Sequence, residues 1–331
     1  MVTRAIKQHY VPQFLLRGFA RNEKRSQVHV FDKREHKIYS ASIRNVASRN
    51  RFYDLHDKDR RVSFEPTLAE LDGQASGAIG ELLRTKQTAM LSDKQRSMIA
   101  YFLAVQFVRG EHFRANTLHI NKQMGEWLRK LGFDPNEVVN YHEMDEVGAK
   151  QMAIEMLTSA HEFVPFMLDK TWVLHTTDSS NPFLISDNPL ALSLGDQKYG
   201  PEIGLGSRSI IIQMPLTMEY SLGSYCPTYL EDALQLKLQM KEFMRQKVIV
   251  PGLSLMQEKV NRLYEAFAGT EPFICDSGLV KWLNANQIIQ AERFIYSSTR
   301  DFALAKTIMR ENPRYRSGPR GGVGWPKASE G

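Results

Sequence analysis

The first sixty residues alternate apolar and polar side chains in short runs. Residues 28–31 and 37–41 alternate in this way on either side of the charged segment 32–36, which is typical of a β-hairpin. Residues 51–55 could add a third strand. We therefore predict a hairpin module near the start of the chain.

From residue 64 onward the apolar positions change to helical spacing. Residues 64–84 carry apolar side chains every three or four positions, which indicates an amphipathic helix. A capping box at Ser92–Gln95 opens the longest helical pattern, which runs to Leu131. Residues 146–163 predict a further helix that ends before Pro165. The middle of the chain is therefore expected to be mainly helical.

Short strands and more helices follow. The apolar runs that predict strands are residues 172–176, 182–186, 209–213 and 219–222. Helical spacing returns in residues 230–244, 256–267, 281–296 and 301–309. From residue 310 the sequence has no period and is rich in glycine and proline, which is typical of disorder.

Together these patterns predict an α+β fold that is predominantly helical, with a basic N-terminal β-hairpin and a small sheet of short strands after the long helices. We expect a hairpin module over residues 1–61 packed on the body, a helical and sheet body over residues 62–309, and a disordered basic tail over residues 310–331.

Charge is distributed unevenly along this arrangement. Residues 1–61 hold 15 Lys and Arg residues against 6 Asp and Glu residues, a balance of +9, and residues 310–331 hold 5 against 2. The stretch between them is mildly acidic, with 23 against 29. Two basic ends could attract phosphate groups, or they could dock onto the acidic body of the same molecule.

Targeting and redox signals are weak. No apolar run reaches the roughly 18 residues of a membrane span, and the N-terminus lacks the apolar core of a signal peptide, so we expect a cytoplasmic protein with no membrane partner. Cys226 and Cys275 are the two cysteines, too few for a disulfide framework. We expect both to be reduced and in the core.

Standard cofactor and metal signatures are incomplete. Gly204-Leu-Gly206 lacks the third glycine of a dinucleotide-binding turn. His161-Glu162 begins like a zinc-protease helix, but Pro165 stands where the second histidine should lie. These departures argue against a dinucleotide-binding protein and against a zinc protease.

Residues 7–20 combine a histidine and an arginine with an apolar scaffold. Residues 11–19 predict a short helix with Pro12 in its first turn, which places His9 just before the helix. A histidine there can act as a general acid or base, and Arg17 can bind phosphate. A capping or packing role is the alternative for His9.

Several motifs, in their order along the chain, resemble the domain of unknown function family 4238. The motifs are His-Tyr-Val-Pro-Gln-Phe-Leu-Leu-Arg-Gly-Phe at 9–19, Gln-x-x-Arg at 106–109, Ser-Asp-Asn-Pro at 186–189, and the segments 214–217 and 291–297. The family commonly has Arg-Thr-Pro where this chain has Arg-Gly-Glu at 109–111. The resemblance implies a bacterial origin and supplies no accepted activity.

Asp187 follows an apolar strand, at a point where loops leaving a sheet commonly carry functional groups. We predict it as a catalytic acid, with Asn188 beside it contacting substrate; an Asx-turn is the alternative for both. Asp196 and Lys198 supply half of a metal-dependent nuclease pattern, in which Asp187 would be the second carboxylate holding Mg²⁺.

Gln106 and Arg109 lie three positions apart on the long predicted helix and would share one face. They could clamp the phosphate or carboxylate of a substrate by charge-assisted hydrogen bonds. The alternative is an internal salt bridge between Arg109 and Asp187, which would explain both residues without a substrate.

The resulting hypothesis is an enzyme that acts on nucleic acid or another phosphate-containing substrate, with phosphodiester hydrolysis as the reaction. His9 would be the acid or base, Asp187 would orient it or bind metal, and Arg17 and Arg109 would bind phosphate. A role in bacterial defence would fit such a nuclease.

One alternative is a non-catalytic module that binds nucleic acid through its basic ends and has no buried polar cluster. Another is a small-molecule hydrolase with a closed pocket and little positive charge near it.

Overall fold

The structure is a computed structural model that describes residues 6–21, 26–57, 60–195, 204–245 and 252–322. Within these ranges the chain forms ten α-helices and thirteen β-strands. Helix predominates and the strands form several small sheets. The predicted α+β class is therefore confirmed.

The helices, numbered in chain order, are α1 Gln13–Arg17, α2 Glu65–Thr85, α3 Asp93–Arg109, α4 Glu111–Lys130, α5 Glu146–Thr158, α6 Val164–Leu168, α7 Thr228–Arg245, α8 Leu253–Phe267, α9 Ser277–Gln290 and α10 Ala303–Glu311. The strands are β1 Lys7–His9, β2 Gln27–Asp32, β3 Lys37–Ser42, β4 Ser48–Asn50, β5 Asp54–Asp57, β6 Arg60–Ser63, β7 Thr171–Thr176, β8 Ile185–Ser186, β9 Ala191–Leu194, β10 Ile210–Pro215, β11 Tyr220–Tyr225, β12 Phe273–Ile274 and β13 Phe294–Ser297.

The predicted N-terminal hairpin forms as β2 and β3, and it is part of a larger sheet. That sheet has the strand order β3-β2-β13-β8. Phe31 of β2 lies opposite Ile295 of β13, and Ile295 also lies opposite Ser186 of β8. The hairpin module and the C-terminal part of the body therefore share one sheet.

A second sheet has the order β12-β7-β11-β10-β9. Its neighbouring strands are antiparallel except for β12, which runs parallel to β7. Three of the four predicted short strands lie in this sheet. The fourth prediction, residues 182–186, corresponds to β8 and pairs with β13 in the first sheet. Two small two-stranded sheets, β1-β4 and β5-β6, complete the described pairing.

The predicted helix from Ser92 to Leu131 is two helices. The capping box is present, because the Ser92 side chain accepts the N–H of Gln95 and the Gln95 side chain accepts the N–H of Ser92. Gly110 then interrupts the helix with extended backbone angles, φ −83° and ψ 169°. Glycine is a weak helix former. The chain therefore forms two helices here, although the apolar spacing continues across Gly110. None of the described helices is both long and apolar enough to span a membrane.

Helix α3 lies at the centre of the main hydrophobic core and contacts α2, α5 and α6. Its Ile99, Phe102 and Leu103 are buried together with residues of α1 and both larger sheets. Both cysteines are buried and free, as expected. This packing places the C-terminal end of α3, including Arg109, beneath the surface.

The predicted tail differs from a disordered segment over the part that the structure describes, residues 310–322. Helix α10 continues to Glu311, and a 3-10 turn covers Pro313–Arg316. Arg320 then forms an ion pair with Glu292 at 2.8 Å. This ion pair joins distant parts of the chain, so the period of the sequence does not reveal it.

Candidate anion-binding cavity

Asp187 lies in the corner that follows β8 and is buried. Its carboxylate accepts the backbone N–H groups of Glu292 at 2.7 Å, Arg293 at 2.7 Å and Phe294 at 2.8 Å. Burial raises the pKa of the carboxyl, whereas the three N–H groups favour its ionised form. Asp187 therefore fixes the backbone at the start of β13.

The residues around Asp187 bind the end of α9. Asn188 donates its side-chain N–H to the carbonyl oxygen of Gln290 at 3.1 Å. Lys33 of the hairpin turn is buried, and its Nζ donates to the carbonyl oxygens of Ile288 at 2.7 Å and Ala291 at 2.6 Å. These bonds satisfy carbonyl groups at a helix C-terminus. Asn188, predicted to contact substrate, is thus used within the protein.

Arg109 is buried and fully hydrogen-bonded. Its guanidinium binds both carboxylate oxygens of Asp72 on α2, at 2.5 and 2.9 Å. It also donates to the His9 carbonyl oxygen at 3.0 Å, the Tyr53 hydroxyl at 3.2 Å and the Gln106 Oε1 at 3.2 Å. These five bonds match the five N–H donors of a guanidinium. The expected internal salt bridge exists, but its partner is Asp72 and not Asp187.

His9 and Arg17 have different surroundings. The His9 side chain is half-buried, its Nε2 lies 3.4 Å from the carbonyl oxygen of Ile43, and burial lowers its pKa. Its link to Arg109 is through its own backbone carbonyl. Arg17 lies exposed at the end of α1.

The predicted site residues therefore fall into an Arg109 cluster, an Asp187 corner and one exposed arginine. Gly110, next to Arg109, lies beside the corner, because a Cβ placed on it would lie 3.8 Å from the Asp187 backbone oxygen. Asp196 and Lys198 lie outside the described residues. In the described part of the chain, no group of three or more His, Cys, Asp or Glu side chains could hold a metal ion.

A cavity of about 470 Å³ lies next to these two groups of residues and is lined mainly by charged side chains. The cationic lining residues are Arg34, Arg49, Arg51, Arg114, Lys150 and Arg320, and the acidic ones are Glu111, Glu146 and Glu292. Six cations against three carboxylates give the lining an excess of positive charge.

Arg114 of α4 is the most enclosed of the unpaired cations. It donates to the Phe52 carbonyl oxygen at 2.8 Å, and its Cζ lies 3.4 Å from the centre of the Phe52 ring. Its Nε is buried and has no hydrogen-bond partner among the described residues. Burial lowers its pKa to about 10, so the side chain stays cationic at neutral pH.

Lys150 of α5 lies close to Arg114. Its Nζ donates to the backbone carbonyl of Arg51 at 2.9 Å, and burial followed by the charge of Arg114 lowers its pKa. Within the described chain, Arg51, Arg114 and Lys150 form no salt bridge with a carboxylate. We call these three residues the free-cation wall.

The other cations of the lining are paired. Arg49 forms an ion pair with Glu111, with Nη2 to Oε2 at 2.7 Å. Glu292 binds Arg34 at 2.8 Å and both terminal nitrogens of Arg320 at 2.8 Å. We call these five residues the ion-paired wall.

Glu292 is ionised despite its burial. Burial raises its pKa, but hydrogen bonds from His112 and Arg320 outweigh that effect and hold the pKa at about 2. Its backbone N–H is one of the three groups bound by Asp187. Asp187 therefore positions a wall residue of the cavity without lining the cavity itself.

The Arg109 cluster supports the cavity from the other side. Arg109 ends α3, and Glu111 of the lining begins α4 two positions later. His9 pairs with Ser48 in the β1-β4 sheet, and the next two residues of β4 are Arg49 and Asn50 of the lining. The motif residues thus hold the backbone from which cavity side chains project.

Motif-based reasoning missed the cavity itself. Arg114 and Lys150 occur in ordinary helical patterns with no motif around them. The available signal was charge, because Arg34, Arg49 and Arg51 belong to the basic segment 1–61 and Arg320 belongs to the basic segment 310–331. Charge excess located the region but not the geometry.

Comparison with known proteins supplies a family and no activity. Neither a search of curated proteins nor a search of solved structures gave a match. A family model described as "protein of unknown function (DUF4238)" matches residues 7–301 of the 331. The motifs discussed above all lie within this match. The chain therefore belongs to the DUF4238 family of proteins of unknown function.

Proposed function

We propose that the protein binds a phosphate-containing ligand in the basic cavity. The observation that carries this proposal is the free-cation wall, above all Arg114 with its buried and unpartnered Nε. A partly desolvated cation that forms no salt bridge is unfavourable. A phosphate oxygen against the part of the guanidinium that lines the cavity would supply both a hydrogen-bond acceptor and a negative charge.

The position of the free-cation wall strengthens the case. Arg114 and Lys150 lie close enough for the charge of one to lower the pKa of the other. Like charges held together repel each other. A dianionic phosphate between them would turn this repulsion into attraction.

Catalysis is the further part of the proposal. The sequence predicts hydrolysis of a phosphodiester, and the cavity gives such a substrate a place to bind. His9 and Asp187 remain the predicted catalytic residues, although neither lines the cavity. A bacterial origin, a cytoplasmic location and a role in defence likewise remain predictions.

Non-catalytic binding of nucleic acid is the second candidate. It is favoured by the origin of the lining, since Arg34, Arg49, Arg51 and Arg320 come from the basic ends of the chain. Against it, the structure contains the buried polar groups around Arg109 and Asp187 that a simple binding module does not need.

Calorimetric titration with inorganic phosphate and with pyrophosphate tests the proposal. We expect Arg114→Gln and Lys150→Gln each to weaken binding by roughly tenfold or more, equivalent to about 1.4 kcal/mol. Arg44→Gln is the matched control, because Arg44 is an exposed arginine of the same basic segment outside the lining. Equal weakening by all three variants would show nonspecific attraction and would contradict a site.

A further inference from the structure

We infer that the ligand is a small phosphomonoester with hydroxyl or amine donors beside its phosphate, and not a nucleic-acid chain. This inference rests on the proposed function and adds the class of ligand. The inference is based on the two walls of the cavity, on Phe52 in the lining and on the cavity volume.

The two walls differ in what they can bind. The free-cation wall offers donors and positive charge to one phosphate group. The ion-paired wall offers carboxylate oxygens, because Arg49 binds both oxygens of Glu111 and each oxygen can still accept a further bond. Glu146 adds a carboxylate without a described partner in the lining. A ligand spanning both walls needs an anionic end and an end that donates hydrogen bonds.

The unpaired carboxylate of Glu146 disfavours a polyanion. A second phosphate extending toward Glu146 would meet a carboxylate that forms no salt bridge within the described chain, and like charges repel each other. A nucleic-acid strand places a further phosphate at every nucleotide. One phosphate fits the lining better than a series of phosphates.

The aromatic content of the lining also argues against a nucleic-acid chain as the ligand. Proteins that bind single-stranded nucleic acid stack bases on exposed aromatic rings. Phe52 is the one aromatic residue among the described residues of the lining, and the guanidinium of Arg114 covers its ring at 3.4 Å. The ring also contacts Tyr10 and Tyr53, with centroids 5.3 and 4.9 Å away. Among the residues described around the cavity, no aromatic face is left for a base.

The volume of about 470 Å³ is consistent with a compact ligand. Small-molecule sites in proteins have volumes of roughly 300–1,000 Å³. A sugar phosphate is a ligand of this size class.

Titrations with three probes test the inference: inorganic phosphate, ribose 5-phosphate and a short oligothymidylate. We expect ribose 5-phosphate to bind roughly tenfold more tightly than inorganic phosphate, with the oligothymidylate binding more weakly than either. Glu111→Gln should abolish the advantage of the sugar phosphate, while affinity for inorganic phosphate stays equal or rises because Arg49 is released. The control is Glu162→Gln, because Glu162 is an exposed carboxylate outside the lining. This variant should leave the advantage of the sugar phosphate intact.

The possible outcomes separate this inference from the proposed function. If inorganic phosphate and ribose 5-phosphate bind equally well and both depend on Arg114, the proposed function stands and the ligand class is wrong. If the oligothymidylate binds most tightly, a nucleic-acid chain is the ligand. If no probe depends on Arg114, the cavity is not a phosphate site and both proposals fail.

Discussion

At the scale of single residues, Asp187 shows how a residue in a motif can act at a distance from a site. Its carboxylate holds three consecutive N–H groups, one of which belongs to Glu292 in the cavity wall. A carboxylate is needed there because both of its oxygens are acceptors. An amide would place its own N–H groups against backbone donors.

We therefore expect Asp187→Asn to lower the free energy of unfolding by about 2–4 kcal/mol, as for other buried groups left without a partner. Urea denaturation measures this change. Asp178→Asn is a matched control, because Asp178 is exposed and accepts the N–H of Ser180 at 2.8 Å; its effect on stability should be much smaller than that of Asp187→Asn. A variant at 187 that is as stable as wild type but has lost hydrolytic activity would instead support the predicted catalytic role.

His175 of β7 leads to a prediction about pH. It is buried, the Tyr225 hydroxyl lies 2.8 Å from its Nε2, and burial lowers its pKa from 6.5 to about 4. Between these two values the unfolded chain binds a proton that the folded protein does not. The contribution of neutral His175 to stability is therefore complete above pH 6.5 and is lost as the pH falls toward 4, by about 1.4 kcal/mol per pH unit.

Urea denaturation across this pH range, for wild type and His175→Gln, measures the effect as a difference in slope. The variant should lose less stability on acidification, whatever its absolute stability. Parallel curves for the two proteins would show that another group causes the pH dependence.

Sequence reasoning found residues at this scale better than it found their partners. Arg109 and Asp187 were singled out from motifs, and both are buried and fully engaged with other groups. The partner of Arg109, Asp72, lies on a different helix, and only the packing of α2 against α3 brings the two together. Arg114 carries no motif, and its importance depends on a cavity that exists only in the folded chain.

At the scale of secondary-structure elements, the opening motif and the later Met-Pro-Leu-Thr segment pack against each other. Gly18 follows α1, and its backbone oxygen accepts the N–H of Met218 at 3.0 Å. A Cβ on Gly18 would lie 2.6 Å from the backbone oxygen of Leu216. Real Cβ atoms do not approach backbone this closely, so only glycine fits.

We expect Gly18→Ala to lower the free energy of unfolding by about 1–3 kcal/mol, the usual range for overpacking. Gly73→Ala is the matched substitution, because Gly73 lies inside α2 with nothing within 4 Å of its Cβ position. Alanine there should raise stability by about 0.5–1 kcal/mol through helix propensity. Thermal unfolding of both variants checks the opposite signs, and a neutral Gly18→Ala would show that α1 can move away from this loop.

The elements themselves were predicted where local pattern decides and missed where distant contacts decide. Helix α2 and the capping box of α3 follow from spacing and from Ser92 with Gln95. The pairing of β8 with β13 depends on how remote segments meet. The apolar run 182–186 could not indicate which sheet it would join.

At the scale of the whole molecule, the basic ends and the acidic middle meet at the cavity. The sequence left open whether the basic ends bind phosphate or dock onto the body. The structure shows docking in the pairs Arg49 with Glu111 and Arg320 with Glu292. The same ends leave Arg51 in the free-cation wall, so docking does not use up the positive charge. The same fold can therefore use some basic residues for docking onto the body and leave others for binding phosphate.

This arrangement makes the C-terminal segment part of the cavity lining. Arg320 is one of six cations in the lining and, with Arg34, neutralises Glu292. The N–H of Gly321 donates to Asn116 at 2.6 Å and holds the segment along α4. Without Arg320 the lining would lose a cation, and Glu292 would face the cavity with one positive partner fewer.

We therefore expect a chain that ends after Ser317 to bind inorganic phosphate roughly tenfold more weakly than one that ends after Gly322, which keeps Arg320. The difference should shrink as salt concentration rises, because salt screens partly exposed charges. Arg320→Gln in the full-length chain separates the loss of charge from the loss of the segment and should reproduce most of the effect. Calorimetric titration of the three proteins with inorganic phosphate makes the comparison. Their melting temperatures should be similar, so that a difference in affinity does not reflect a difference in stability. Equal affinities for the two shortened chains would show that Arg320 stabilises Glu292 without contributing to anion binding.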